Sequence, residues 1–126
     1  MHSLEVALLC LSLNVYYEAR SEPDIGQMAV ALVTINRTKH RKQSICKTVF
    51  EPYQFTWTEE SFHKDPKEND PLWRKAQRIA RQALIAKDFT GKAMWYHRED
   101  VKPVWIKNLE YVGKFGKHLF YREKKP

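Results

Sequence analysis

The chain has 126 residues, 43% hydrophobic and 29% charged with 4 Gly and 6 Pro, a composition that excludes disordered and collagen-like classes. At roughly 150 residues per domain it predicts one domain over 1–126, long enough to fold without a metal or disulfide staple. Lys and Arg number 22 against 15 Asp and Glu; residues 1–70 carry 8 basic and 10 acidic groups and residues 71–126 carry 14 and 5, so the +7 net charge is a positive field of the second half, suited to nucleic acid, an anionic bilayer or an anionic bacterial wall.

Leu4, Leu8, Leu11 and Val15, widened by Ala7, Leu9 and Ala19, predict a helix from about residue 3 to residue 20, with Glu18 in its last turn. This apolar start lacks the basic lead and small-residue cleavage site of a signal peptide, and no stretch approaches about 18 apolar residues, so no membrane insertion is expected. Pro23 suits the first turn of a second helix carrying Ile25, Met28, Leu32 and Ile35. Both helices are apolar over more than one stripe and are expected in the centre of the domain. Residues 39–69 show little helical period but hold Tyr53, Phe55, Trp57 and Phe62, which argues for a functional loop.

Asp70-Pro71 announces a third helix to about Lys87, with Leu72, Ala76, Ile79 and Ala83 inward. Arg74, Lys75, Arg78 and Arg81 form a basic ridge on its outer face, read as a solvated surface or as an attractor for an anionic polymer. After Gly91, β-like runs at Ala93–His97, Val101–Ile106 and Lys117–Arg122 are separated by Pro103, Gly113 and Gly116. The order predicts an α+β fold, central helices with a small antiparallel sheet.

Cys10 and Cys46 read as two buried thiols, with a single disulfide left open. The five histidines show no zinc-ligand spacing, and neither a metal nor a cofactor is expected. No nucleophile elbow or phosphate-binding glycine loop supports acyl, phosphoryl or hydride transfer. The strongest local feature is Tyr16-Tyr17-Glu18-Ala19-Arg20-Ser21-Glu22-Pro23. A carboxyl at a helix C-terminus meets the negative end of the dipole, and burial among tyrosines adds to the penalty, so both raise its pKa unless Arg20 turns back. A carboxylic acid held protonated near neutrality is what protonates a leaving sugar oxygen. A structural Glu18–Arg20 neighbourhood is the alternative.

Tyr17-Glu18-Ala19-Arg20-Ser21-Glu22-Pro23, Gly26-Gln27-Met28-Ala29-Val30-Ala31, Asn36-Arg37, Gln54-Phe55, Trp95-Tyr96-His97 and Gly116-Lys117-His118-Leu119-Phe120-Tyr121 together resemble, in order, the cell wall hydrolase family of the SleB and CwlJ type. The resemblance covers about residues 4 to 122. It implies a small lysozyme-like α+β domain cutting peptidoglycan glycan strands, with Glu18 as the essential acid and Gln54, Phe55, Trp95, Tyr96 and His97 as cleft residues. His118 and Phe120 are expected in the sheet core. Ser21 stands where the family commonly has Gly, which matters if that position needs a positive φ, and Tyr53 replaces the Gly before Gln-Phe.

The expected reaction is lytic transglycosylation between MurNAc and GlcNAc, leaving 1,6-anhydromuramyl ends. Hydrolytic N-acetylmuramidase activity is the near alternative and needs a second carboxylate; Glu22 is the nearest in sequence, with capping of the second helix as its other reading. A basic nucleic-acid-binding module is the alternative of another class. The expected partner is the glycan strand and not nucleic acid, for a monomer made in the cytoplasm without a signal peptide and acting on the wall after endolysin-like release.

Overall fold

The computed structural model describes residues 3–51 and 65–125. Helix α1 (Leu4–Ala19) begins at Ser3, whose side chain accepts from Val6 N–H and satisfies one orphan donor of the first turn. Its outer half is wet, with Leu4 and Leu9 exposed, whereas Cys10 through Val15 are buried on every side. Helix α2 (Asp24–Arg41) follows Pro23, which sits at the N-cap and not inside the first turn. The α2 end turns on Lys42, in the left-handed region at φ 54°. Ser21 does not have a positive φ, so its substitution for glycine leaves no strain.

A short helix, α3 (Ile45–Val49), lies inside the stretch read as aperiodic, too brief to show a period. Cys10 and Cys46, read as thiols, are joined by a disulfide that ties α1 to α3. Helix α4 (Pro71–Ile85) starts as expected, with Asp70 accepting from Leu72 N–H at 2.9 Å and Pro71 in the first turn. Of its expected inward residues, Ala76, Ile79 and Ala83 are buried and Leu72 is not. Leu72 is exposed and Trp73 is buried with Ala76, Ile79, Ala80 and Ala83, because the bulkier ring takes the place against Tyr16 at 5.8 Å edge-on. The basic ridge is largely engaged locally: Lys75 and Arg78 pair with Asp24 at 2.5 and 3.7 Å, and Arg74 donates to the Glu68 carbonyl.

Three strands form one antiparallel sheet in the order β1-β3-β2: β1 (Trp95–Arg98), β2 (Leu109–Phe115) and β3 (His118–Glu123). The run expected as a strand at Val101–Ile106 is not one. Pro103, which has no N–H to give a ladder, instead precedes a 3-10 turn at Val104–Asn108 that leads into β2. Gly113, expected to separate strands, lies within β2 where the register skips Val112, pairing Tyr111 with Tyr121 and Gly113 with Phe120.

Two cores meet along α2. Leu11, Leu13, Val15, Ala31, Leu32, Trp73, Ile79 and Ala80 pack α1, α2 and α4 together. Ala19, Ala29, Val30, Val33, Ala93 and Phe120 join the end of α1 and the other side of α2 to the sheet. Thr34 donates its hydroxyl to Asn14 Oδ1 at 2.6 Å, a buried bond that fixes α1 against α2. No helix among the described residues is long and apolar enough to cross a membrane.

Because the Cys10–Cys46 bridge closes a sequence separation of 36 residues, reduction should lower stability by about 3 to 4 kcal/mol, by the restriction it places on the unfolded chain. Urea unfolding with and without dithiothreitol measures this. Coincident curves would mean that the bridge contributes nothing.

Candidate active site

Helix α1 delivers Glu18 in its last turn, next to Ala19, which is buried against Val30 and Phe120 in the helix–sheet core. Across that junction stands Tyr96 on β1. Strand alternation turns Tyr96 toward the helices, where its ring lies 5.5 Å from Phe120, and its hydroxyl donates to Glu18 Oε1 at 2.5 Å. Burial first, then the Glu18 charge, push the Tyr96 phenol well above its ordinary value, so it remains a donor.

The register that sets Tyr96 comes from α2. Asn36 donates to the Ala93 carbonyl at 3.0 Å and Arg37 Nε to the Met94 carbonyl at 2.7 Å, so two consecutive helical side chains hold the chain entering β1. Asp88 braces the same approach, accepting from Asn36, from Lys92 N–H and from the N–H and hydroxyl of Thr90. Burial alone would raise the Asp88 carboxyl, but these bonds outweigh it and hold it below the usual carboxylate range.

Arg37 is itself buried, and its charge acts on both Tyr96 and Glu18. Burial lowers its guanidinium from the ordinary value, and the two acidic partners work against that. Sequence reading gave Arg37 no role, although a signal was available. Val30, Val33, Thr34 and Arg37 share one face at spacings of 3, 1 and 3, so an arginine interrupts the apolar stripe of a central helix.

Tyr16 and Tyr17 form the near wall. The Arg20 guanidinium lies over both, 4.8 and 5.7 Å from the ring centroids, a cation–π arrangement. Tyr16 donates its hydroxyl to Asp70 Oδ2 at 2.7 Å, which links this wall to the start of α4. Glu22 is buried and does not cap α2: its Oε1 accepts from Lys117 N–H at 2.7 Å and from His118 Nδ1 at 3.0 Å.

Of the expected cleft residues that are described, Tyr96 is the one placed here against Glu18. Trp95 and His97 alternate to the opposite face of β1. There His97 donates from Nδ1 to the Arg98 carbonyl, has Nε2 at hydrogen-bond distance, 2.9 Å, from the Tyr121 hydroxyl and stacks on the Tyr121 ring, with Trp105 edge-on. Gln54 and Phe55, with Tyr53, lie outside the described residues. Phe120 is fully buried and His118 nearly so, in the sheet core as expected. Cavities of about 530 and 690 Å³ open between α1 and α4 and between α2 and the end of β3; neither is lined by Glu18 or Tyr96. Among the described residues no three His, Cys, Asp or Glu side chains come together as a metal site.

The cell wall hydrolase family model matches residues 21–121, a span that begins three residues after Glu18. The spore cortex-lytic enzyme of Halalkalibacterium halodurans is 34% identical over 110 residues, covering 84% of this chain and 32% of that protein. The spore cortex-lytic enzyme of Bacillus cereus is 33% identical, covering 84% of this chain and 40% of its own length. The chain thus spans about a third of the length of these curated relatives. Among solved structures, the catalytic domain of the germination-specific lytic transglycosylase SleB from Bacillus anthracis superposes with TM-score 0.77 at 29% identity, covering 96% of this chain and 97% of that one. The catalytic domain of Bacillus cereus SleB gives 0.75 at 29% identity, covering 97% and 94%.

Since the Glu18 charge helps to hold the Tyr96 phenol up, Glu18→Gln should lower the Tyr96 pKa. Tyrosine-selective carbon-13 NMR across alkaline pH reads this directly. An unchanged Tyr96 titration would mean that the two groups are not coupled in solution.

Proposed function

The chain belongs to the cell wall hydrolase family, and from that premise we propose that it cleaves the glycan strands of peptidoglycan between MurNAc and GlcNAc as a lytic transglycosylase. The observation that carries the reading is the Tyr96 hydroxyl on Glu18 Oε1 at the end of α1. Glu18 is the acid. In its protonated form it passes the proton to the glycosidic oxygen as the bond from the muramyl anomeric carbon breaks. The muramyl 6-hydroxyl then attacks that carbon and returns its proton to Glu18, so no water is consumed and the product is a 1,6-anhydromuramyl end. The Arg37 charge favours the carboxylate in the interval between the two proton transfers.

The hydrolytic alternative requires a second carboxylate about 5 to 9 Å from the first. Glu22, the nearest in sequence, has Oε1 committed to Lys117 and His118, which supports the one-carboxylate reaction. Gln54 and Phe55 are assigned to the glycan cleft on resemblance alone, and Trp95 and His97, facing the other side of the sheet, receive no sugar contact. The +9 second half attracts the anionic wall, and family membership takes support from the nucleic-acid alternative. In this reading residues 1–126 work as one monomeric catalytic domain without a cofactor. The disulfide supports action outside the reducing cytoplasm, after release to the wall.

Glu18→Gln should keep its circular dichroism spectrum and lose about 10²- to 10⁴-fold in lysis of purified walls. Retained activity would remove Glu18 as the acid. Digested walls analysed by mass spectrometry should carry muramyl ends that resist borohydride and lack one water; reducible ends would mark a hydrolase. Tyr96→Phe removes a donor to the ionised carboxyl, so the Glu18 pKa should rise and the falling alkaline limb of the activity profile should move up by about one pH unit. A limb that stays in place would dissociate Tyr96 from the acid.

A further inference from the structure

We propose that Glu22 and His118 are positioning residues for the Glu18 acid, acting through Tyr96; this rests on the reading of Glu18 given above. Glu22 lies in the turn between α1 and α2, four residues after Glu18 and 6% exposed. Its backbone is held from both sides: its N–H donates to the Ala19 carbonyl at 2.9 Å, and its carbonyl accepts from Gln27 Nε2 at 3.1 Å. The carboxylate leaves that turn and reaches the β2–β3 turn, where one oxygen takes both the Lys117 N–H and His118 Nδ1.

Two glycines make room for it. A Cβ on Gly116, whose φ is +65°, would fall 2.5 Å from Glu22 Oε1, and one on Gly26 would fall 3.2 Å from the same atom. A buried carboxylate is an expensive way to join two turns, since well-packed apolar residues often do it as well. What it supplies in addition is a fixed direction for the imidazole. His118 sets its ring edge-on to Tyr96, centroids 5.2 Å apart at 88°, and the hydroxyl end of Tyr96 is the end that meets Glu18. The contacts Glu18–Tyr96–His118–Glu22 return to the chain four residues from where they began. A side chain held inside such a circuit keeps its angle, and displacement of a catalytic group by about 1 Å costs about 10²-fold in rate.

Three variants of the whole chain test this, with kcat and KM on soluble glycan strands and the Tyr96 ring resonances as separate readouts. Glu22→Ala should lower kcat about 10- to 100-fold with little change in KM and broaden or shift the Tyr96 signals. Glu22→Gln, which keeps an acceptor oxygen for Lys117 and His118, should restore most of both. His118→Ala, which removes the ring edge and leaves Glu22 its bond from the Lys117 N–H, should reproduce the kcat loss and serves if Glu22→Ala does not fold. Wild-type kcat and unmoved Tyr96 resonances in the alanine variants overturn the proposal. So does a Glu22→Gln variant as inactive as Glu18→Gln, which would make Glu22 a reacting carboxylate. If the wild type cuts no glycan, the function reading fails alone, because the Tyr96 resonances still report whether Glu22 and His118 hold that ring.

Discussion

At the C-terminal end of α1 the Tyr96 hydroxyl donates to Glu18 Oε1, and bringing that hydroxyl there constrains the rest of the fold. To deliver that hydroxyl, β1 must enter at one height and one register. Asn36 and Arg37 supply the height by gripping the carbonyls of Ala93 and Met94. Phe120 supplies the register, since it pairs with Tyr96 across the ladder and is buried beneath it. The central position of α2 follows from the same demand: one side must pack the three-helix core while the other carries the grips for the sheet.

The helices were legible because their signals are local. Asp70-Pro71 declares a start by chemistry that needs no tertiary partner, and the structure uses it as such. The first inward residue of α4 was not legible, since whether Leu72 or Trp73 turns in depends on Tyr16, distant in sequence. For the same reason the second strand was misplaced: Val101–Ile106 has the composition of a strand, but pairing with β3 decides the matter and Pro103 spoils the ladder. Glu18 was visible from physics and resemblance together. Tyr96 was named by resemblance alone and Arg37 received no role, because residues scattered over the chain are brought to Glu18 only when the sheet folds onto α2.

Charge behaves differently at short and long range. Lys75 and Arg78 share the one Asp24 carboxylate, while Lys114 pairs with Glu99 and Arg122 with Glu110 at contact distance. These exposed pairs add little to stability. Glu99 and Glu110 are already counted in the +9 of residues 71–126, whereas Asp24 is not, so its pairing offsets one unit of that excess and the remainder acts within a Debye length.

The sulfur link between α1 and α3 also changes what a severed backbone means. Lys39, His40, Arg41 and Lys42 are exposed where α2 ends, inside the loop that Cys10 and Cys46 close. A trypsin-like protease cutting there would leave a two-chain molecule held by one covalent bridge. Glu18, Glu22 and Arg37 would stay on one piece and Tyr96 and His118 on the other, so that the Glu18–Tyr96 contact after nicking would come to depend on redox conditions.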